Sequence, residues 1–373
     1  MKKVRNFVKR EMVMFISLVL AGGSMFLVKP DVGYAEYIDF RTLGILLGLM
    51  LVVAGLRGLG VFAQIGQWLI DKTATVRGLA LVFVFLNFFL GMFITNDVAL
   101  LTFVPFAMEV LVMSKLEKYM IPVIVLETIA ANLGSMFTPL GNPQNLYLYS
   151  VYELSMTEFL KITLPYTVAS LVLLVISTCI LIGTEATESE IRENAPRKTA
   201  LWKLRLAGYL LLFVLCMLTV LRILPFSVTL AIVVGTIACM DRKNLGKADY
   251  CLIVTFILLF VFVGNLGRIP AIGEALAALT NGNEVWTAVI ASQFISNVPA
   301  AILLSGFTDR ARDLIVGINI GGLGTLIASM ASLISFKCYC KDKNSQAGKY
   351  IGMFSLLSVL YLAVLLGLYY VIG

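Results

Sequence analysis

The sequence of 373 residues contains no histidine. That removes histidine proton relays, histidine metal ligands and Ser-His or Cys-His nucleophile pairs together. Charge is scarce as well. Only 14% of residues are charged and 60% are hydrophobic, where a soluble domain carries about 25% charged. Mean hydropathy is +0.94. The six cysteines (Cys179, Cys216, Cys239, Cys251, Cys338, Cys340) are scattered, without a CxxC pair. Most lie in apolar runs, where cysteine acts as a small hydrophobe. Cys338-x-Cys340, between Lys337 and Lys341, is only a faint metal or disulfide signal. Alternating strands of a membrane barrel are missing; the apolar runs are long and unbroken. What remains is an all-α polytopic membrane protein. Its net charge of +7 then belongs to cytoplasmic loops and not to nucleic-acid binding.

Hydropathy places spans at 12–28, 40–56, 164–183, 204–220, 225–240, 250–265 and 350–371. Lys2, Lys3, Arg5, Lys9 and Arg10 precede the first. A signal peptide cleaved near Gly33-Tyr34-Ala35 is the alternative there, but the run is long for a signal core. Residues 58–71, 155–161 and 268–280 read as short amphipathic helices at the interface. Residues 76–114 form two apolar arms around Thr95-Asn96-Asp97, and 285–307 two arms around Ser296-Asn297. Each pair is either two full spans or a re-entrant hairpin. Two further spans, 120–152 and 314–336, are interrupted. The polar segment 184–200 divides the halves. Starting from an inner N-terminus, 22 of the 29 Lys and Arg residues fall on inward segments. Arg192, Arg197 and Lys198 are among them. The outward seven are Lys29, Arg41, Lys161, Arg222, Arg268, Arg310 and Arg312. The positive-inside rule therefore predicts N-in, C-out, with about nine crossings plus two hairpins.

The interruption at 131–145, ANLGSMFTPLGNPQN, is the most informative stretch. Gly134, Pro139, Gly141 and Pro143 crowd at membrane depth, where proline removes an N–H and glycine weakens a helix. Backbone freed in hydrocarbon must be buried in protein or line a cavity. Ser135, Thr138, Asn142, Gln144 and Asn145 put polar groups in the same place. Taken alone, a proline-kinked helix explains it equally well. The halves, however, echo each other. Residues 1–184 and 224–373 repeat one order of spans, amphipathic helix, arms, broken span and last span. Residues 185–223 supply a cytoplasmic linker and one extra span. VVAGLRGLG (52–60) matches VFVGNLG (261–267), Ile94-Thr95-Asn96 matches Ile295-Ser296-Asn297, and Asn132-Leu133-Gly134-Ser135 matches Gly322-Leu323-Gly324-Thr325. The extra span inverts the second repeat. Inverted repeats with paired broken helices are the pattern of secondary transporters, whose sites lie at the breaks. Helix N-termini there suit an anion, and unwound carbonyls with Asn, Ser or Thr oxygens suit Na⁺.

With ITNDVALLTFVPF, SMFTPLGNPQNL, FISNVPAAILL and GINIGGLGTLIASMASLI in hand, the chain resembles the ion transporter superfamily. That group includes divalent-anion/sodium symporters, citrate-transporter-like permeases, arsenite permeases and sodium/proton antiporters. The resemblance spans both repeats. It implies that the tips and breaks bind sodium and substrate, at Thr95, Asn96, Asp97, Ser135, Thr138, Pro139, Gly141 and Asn142 in the first half. In the second half it implies Ser296, Asn297, Gly324, Thr325, Ser329 and Ser332. Asn96, Asn142 and Asn297 are the sodium candidates. The symporters carry Ser-Asn-Thr at both tips. This chain has Asp97 and Val298 at the third position, and Thr-Asn-Asp looks more like the arsenite permeases. The resemblance also implies elevator-type transport, often as a homodimer.

Two acids fall at membrane depth, where a carboxylate costs about 3 kcal/mol even on insertion scales. Asp97 reads as an N-cap of the second arm, an ion ligand, or both. Glu127 reads as an interhelical hydrogen-bonding group or as a proton-coupling residue. Asn87, Asn265, Gln293 and Asn319 read as helix-packing residues. Gly321-Gly322-x-Gly324 is superficially like a dinucleotide fingerprint but lies in a membrane span with no strand before it. The expected function is ion-coupled transport of a small anion, a di- or tricarboxylate, across the cell membrane. Na⁺ or H⁺ is the coupling ion, with no other cofactor. A sodium/proton antiporter or arsenite efflux permease is the alternative on the same fold. A membrane-embedded enzyme is disfavoured, since there is neither HExxH nor a Gly-x-Asp pair. A channel fits paired broken helices less well than alternating access. The unlike breaks predict unequal ion sites, the stronger at Asn96 and Asn142.

Overall fold

Apolar runs bounded by capping side chains become helices throughout the computed structural model, which describes residues 12–70, 72–186, 200–342 and 344–372. The first half gives α1 (Met12–Leu27), α2 (Phe40–Gly58), α3 (Val61–Ile70), α4 (Val76–Ile94), α5 (Asn96–Met113), α6 (Met120–Ser135), α7 (Pro143–Val151) and α8 (Met156–Leu181). After α9 (Ala200–Val220) come α10 (Phe226–Met240), α11 (Tyr250–Gly267), α12 (Pro270–Thr280) and α13 (Glu284–Ile295). The chain ends with α14 (Asn297–Ser305), α15 (Ala311–Gly321), α16 (Met330–Tyr339) and α17 (Ala347–Ile372). The starts are chemically marked. Asp39, Thr75, Asn142 and Asp249 side chains each accept a backbone N–H in the first turn, and Ser155 forms a capping box with Glu158.

Seven of these helices (α2, α4, α5, α8, most of α9, α11 and α17) are long and apolar enough to cross a membrane. The chain is a multi-pass membrane protein. In α2, 67% of the apolar window is buried inside the protein, against 28% in α8, α9 and α17. The last three therefore face lipid, and α2 is central. Residues 155–161 and 164–183, expected as two pieces, form the single helix α8 with Pro165 inside it. The Ser155 capping box starts that helix early, and Thr163 Oγ1 bonds the Phe159 carbonyl just before the proline. Lys2, Lys3, Arg5, Lys9, Arg10, Asp71, Arg192, Arg197, Lys198 and Lys343, which entered the charge and interface readings, lie outside the described residues.

Packing between the halves is reciprocal. The first helix of each half lies on the second helix of the other, α1 on α11 and α10 on α2. α4 packs on α6 as α13 packs on α15, and α16 packs on α5 as α7 packs on α14. Two apolar cores result. One is built mainly from α4, α5, α6, α16 and α17, the other mainly from α2, α7, α9, α10, α11 and α14.

The N-terminal helix is tied in by polar contacts. Asn265 Nδ2 donates to Ser24 Oγ (2.9 Å) and to the Tyr34 hydroxyl (2.9 Å), and Arg268 pairs with Asp31 at 2.8 Å. Residues 33–35, the alternative cleavage site, thus fall on a short 3-10 turn whose Tyr34 also bonds the Val28 carbonyl. Asn265→Ala is expected to cost about 1–3 kcal/mol, the worth of a buried hydrogen-bonding group. A lowered melting temperature of the detergent-solubilised protein would show it, and an unchanged one would count against this anchoring.

Candidate functional site

Both arm pairs turn on one strained residue. Thr95 has φ 71° and ψ 145°, and Ser296 has φ 70° and ψ 157°. L-residues rarely adopt this region, and its strain of about 1–3 kcal/mol clusters at functional sites. The next residue's N–H then reaches the facing helix break. Asn96 N donates to the Gly141 carbonyl, and Asn297 N to the Ala328 carbonyl, both at 3.0 Å. Each tip is thereby fixed to the unwound segment of its own half.

The first break, between α6 and α7, folds back tightly. A Cβ on Gly141 would stand 2.0 Å from the Ser135 carbonyl oxygen. Asn142 caps α7 by accepting from Asn145 N (2.9 Å). The Asn145 amide donates to the Met136 and Thr138 carbonyls at 3.1 and 3.3 Å. Thr138 Oγ1 donates to the Met92 carbonyl, and Pro139 is buried in the loop between them. The second break, between α15 and α16, is held by Gln293 instead. Its Nε2 donates to the Gly321 and Leu323 carbonyls at 2.8 and 2.9 Å, while its Oε1 accepts from Thr325 N at 2.9 Å. Gly324 has φ +106°, and a Cβ there would meet Gln293 Oε1 at 2.5 Å, so glycine is required.

One asparagine from each break crosses to the other. Asn132 Oδ1 accepts from Asn96 Nδ2 (3.2 Å) and Ser329 Oγ (2.9 Å), and its Nδ2 donates to Ser332 Oγ (2.9 Å). Asn319 Nδ2 donates to Asn145 Oδ1 (2.7 Å), and its Oδ1 accepts from Asn142 Nδ2 (3.4 Å). Asn142 Nδ2 also reaches Ser135 Oγ (3.2 Å). Asn96, Asn132, Ser135, Asn142, Asn145, Asn319, Ser329 and Ser332 are all buried. The first turns of α5, α7, α14 and α16 meet here, so four positive helix ends converge where no lysine or arginine stands among the described residues. The ion pairs among the described residues lie elsewhere, at Lys118–Glu185, Arg268–Asp31, Arg310–Glu284 and Arg310–Asp313. Outside the bundle, the hydrogen bond from Lys118 holds the Glu185 carboxyl below its usual range. Thr95 and Asn142 are the polar lining of a cavity of 30 Å³ against α2, otherwise walled by side chains such as Leu46, Leu49 and Leu146.

The expected residues thus divide. Asn96, Ser135, Asn142, Ser329 and Ser332 join one network. Thr95, Thr138, Pro139, Gly141, Ser296, Asn297 and Gly324 shape the tips and breaks around it. Thr325 is exposed and turned to Gln293. Asp97 is not the N-cap of α5. That place belongs to Thr95, and Asp97 lies in the first turn with its N–H on Asn96 Oδ1 (3.0 Å). Its carboxylate makes no hydrogen bond or ion pair among the described residues.

The expected match between the two breaks also shifts. Gly134 packs on Phe88, seven residues before Thr95, and Gly321 packs on Val289, seven before Ser296. Helix-on-arm contact therefore pairs Gly134 with Gly321 and Asn132 with Asn319, three residues off the match to Gly322-Leu323-Gly324-Thr325. AANLGS (130–135) against GINIGG (317–322) carried that signal. Asn132, Asn145 and Asn319 are the network members that reading missed.

The family model described as "Citrate transporter" matches residues 2–309. The inner membrane protein YbiR of Escherichia coli (strain K12) is 32% identical over 324 residues, 86% of this chain and 85% of that protein. An uncharacterized transporter of Methanocaldococcus jannaschii is 30% identical over 358 residues, 95% of each chain. A silicon efflux transporter of Oryza sativa subsp. japonica is 29% identical over 144 residues, 39% of this chain and 29% of that protein.

Proposed function

The chain belongs to the citrate transporter family, and from that premise we propose that it is an ion-coupled secondary transporter of a small anion, a di- or tricarboxylate. The observation that carries the reading is the reciprocal asparagine bridge between the two breaks. It makes one polar site out of both halves, with four helix N-termini around it. An anion there is held by helix dipoles and a co-bound Na⁺ or H⁺, since no fixed cation stands at the breaks among the described residues. Asn96, Asn142 and Asn297 are the sodium candidates.

The reciprocal packing supports inverted repeats over 1–184 and 224–373, and the excess of Lys and Arg on inward segments supports N-in, C-out topology in the cell membrane. Arm length supports a re-entrant hairpin in the second half, whereas α4 and α5, with 19 and 18 residues, are long enough to cross. α13 has 12 residues and α14 has 9, about 18 and 14 Å at 1.5 Å per residue. Neither reaches across about 30 Å of hydrocarbon. The 30 Å³ cavity has room for a water or a bare ion, not for a carboxylate substrate. Binding then requires α2 and the first tip to part, as in an elevator whose tips and breaks move against a scaffold containing α2, α9 and α10. A homodimer is the expected assembly for such a scaffold.

A second reading is efflux of a neutral oxyacid or of Na⁺ in exchange for protons. Asp97 and Glu127, neither ion-paired, favour it, as does the partial likeness to a silicon efflux transporter. A thermal-shift screen separates the readings. Citrate or succinate together with Na⁺, or at low pH, is expected to raise the melting temperature more than either component alone. Stabilisation by arsenite or silicic acid, with no carboxylate effective under any ion condition, would replace the first reading by the second.

A further inference from the structure

Glu127 on α6 and Asn87 on α4 are both fully buried. Asn87 Nδ2 donates to Glu127 Oε1 at 2.9 Å and to the Phe83 carbonyl at 3.0 Å. Both amide hydrogens are thereby used, which fixes the amide orientation. Two oxygens remain, Asn87 Oδ1 and Glu127 Oε2, and neither has a partner among the described residues. Both are acceptors as long as the carboxyl is ionised.

Helix packing does not require this pair. Asn87 stands eight residues before the Thr95 tip, and Ala288 eight before the Ser296 tip. Glu127 stands five before Asn132, and Leu314 five before Asn319. Ala288 and Leu314 are equally buried, and α13 packs on α15 there with Ala288 and Val285 against Gly317, so the corresponding positions of the second half carry apolar residues in place of the acid and the amide. A buried acid–amide pair with two orphan oxygens costs free energy that the other half avoids. Ionisable groups kept at membrane depth are by default functional.

Among the described residues no cation is paired with Glu127. Around α6, Arg77 is turned to the Ile182 carbonyl, Lys118 to Glu185, Asp313 to Tyr369, and Tyr350 to Thr128 and Ser335. Asp97, Glu109, Tyr166 and Cys338, on α5, α8 and α16, make no bond to Glu127 either. Two free oxygens also fall well short of the roughly six that a hard cation collects. A proton needs fewer. Bound on Oε2, it cancels the buried charge and supplies the one donor the pair lacks.

We propose that Glu127 and Asn87 form a proton-binding site, separate from the tips and specific to the first half of the chain. On uptake an O–H bond forms on Glu127 and the carboxylate charge is lost; on release the bond breaks and the charge returns. The site lies on the helix that carries Asn132, and the adjacent Thr128 bonds Ser335 (2.5 Å) on α16. Relative movement of the two breaks therefore changes the surroundings of Glu127. Its use as the coupling proton rests on the transporter reading; the proton site itself does not.

Infrared difference spectra of the membrane-reconstituted protein, taken between about pH 5 and about pH 10, test it without any substrate. The wild type is expected to show a carboxylic-acid C=O band that disappears reversibly at high pH and shifts in D₂O. Glu127→Gln should lack that band. The double variant Asn87→Ala/Glu127→Leu, which copies Ala288 and Leu314, should fold and also lack it. A wild-type spectrum unchanged by Glu127→Gln would overturn the proposal. So would a band that neither titrates nor exchanges, since that marks a structural acid. If both variants fail to fold, the fold itself requires the pair, and the proposal falls as well. Absence of carboxylate flux would leave these spectra untouched and count only against the transport reading.

Discussion

Asn132→Leu is expected to abolish ion-driven uptake while leaving a folded protein. Leucine fills nearly the same space, but Asn96 Nδ2, Ser329 Oγ and Ser332 Oγ lose their shared partner. Each buried group left unmade costs about 1–3 kcal/mol. A loss of about 3 kcal/mol in the state that binds and moves substrate corresponds to roughly 100-fold in rate. Asn319→Leu removes the reciprocal bonds to Asn142 and Asn145 and is expected to do the same. Asn265→Leu serves as the control. It strips an equally buried asparagine whose partners, Ser24 and Tyr34, lie far from the breaks in sequence and packing. Its uptake per folded molecule should match the wild type. Equal losses in all three would mean that the bridge only packs helices.

The second large effect is on folding. A Cβ on Gly134 would stand 2.1 Å from the Phe88 carbonyl oxygen and 2.7 Å from Phe88 Cα. Those atoms are backbone, so α4 itself must move away from α6. Overpacking of a close contact usually costs about 1–3 kcal/mol, and more where no flexible side chain gives way. Gly134→Ala is therefore expected to reduce the folded fraction sharply in size-exclusion profiles of the solubilised protein. Gly321→Ala, 2.9 Å from Val289 Cα and 3.1 Å from Ser292 Oγ, should be milder. Gly22→Ala, with nothing within 4 Å, should be neutral. Any other order would contradict the helix contacts described above.

The helices were readable because hydrocarbon leaves the backbone few alternatives. Long apolar runs had to become helices, and crowded glycine and proline had to interrupt them. The two tips were readable for a related reason, since Thr95-Asn96 and Ser296-Asn297 are short polar islands between apolar arms. Asn132 gave no such signal. A lone asparagine in an apolar run looks the same whether it packs helices or builds a site, and its partners Ser329 and Ser332 lie about 200 residues away. The repeat register failed by three residues because letter identity favoured Gly322-Leu323-Gly324-Thr325. The determinant is the distance from each glycine's contact to the tip, which no local match contains. Asp97 reads from the sequence as an N-cap, an ion ligand or both, the first because aspartate caps well. The left-handed backbone at Thr95 moved the cap two residues earlier. Residues 155–161 read as a separate interfacial piece from their amphipathic pattern, yet the Ser155–Glu158 capping box starts one helix that runs on through Pro165.

The most direct measurement is uptake of labelled citrate and succinate into proteoliposomes under an imposed Na⁺ or pH gradient, with wild type and Asn132→Leu side by side. The account predicts accumulation by the wild type that collapses when the gradient is dissipated, and about 100-fold slower uptake by the variant. Gradient-driven accumulation that Asn132→Leu leaves intact would contradict the claim that the bridge between the two breaks is the transport site.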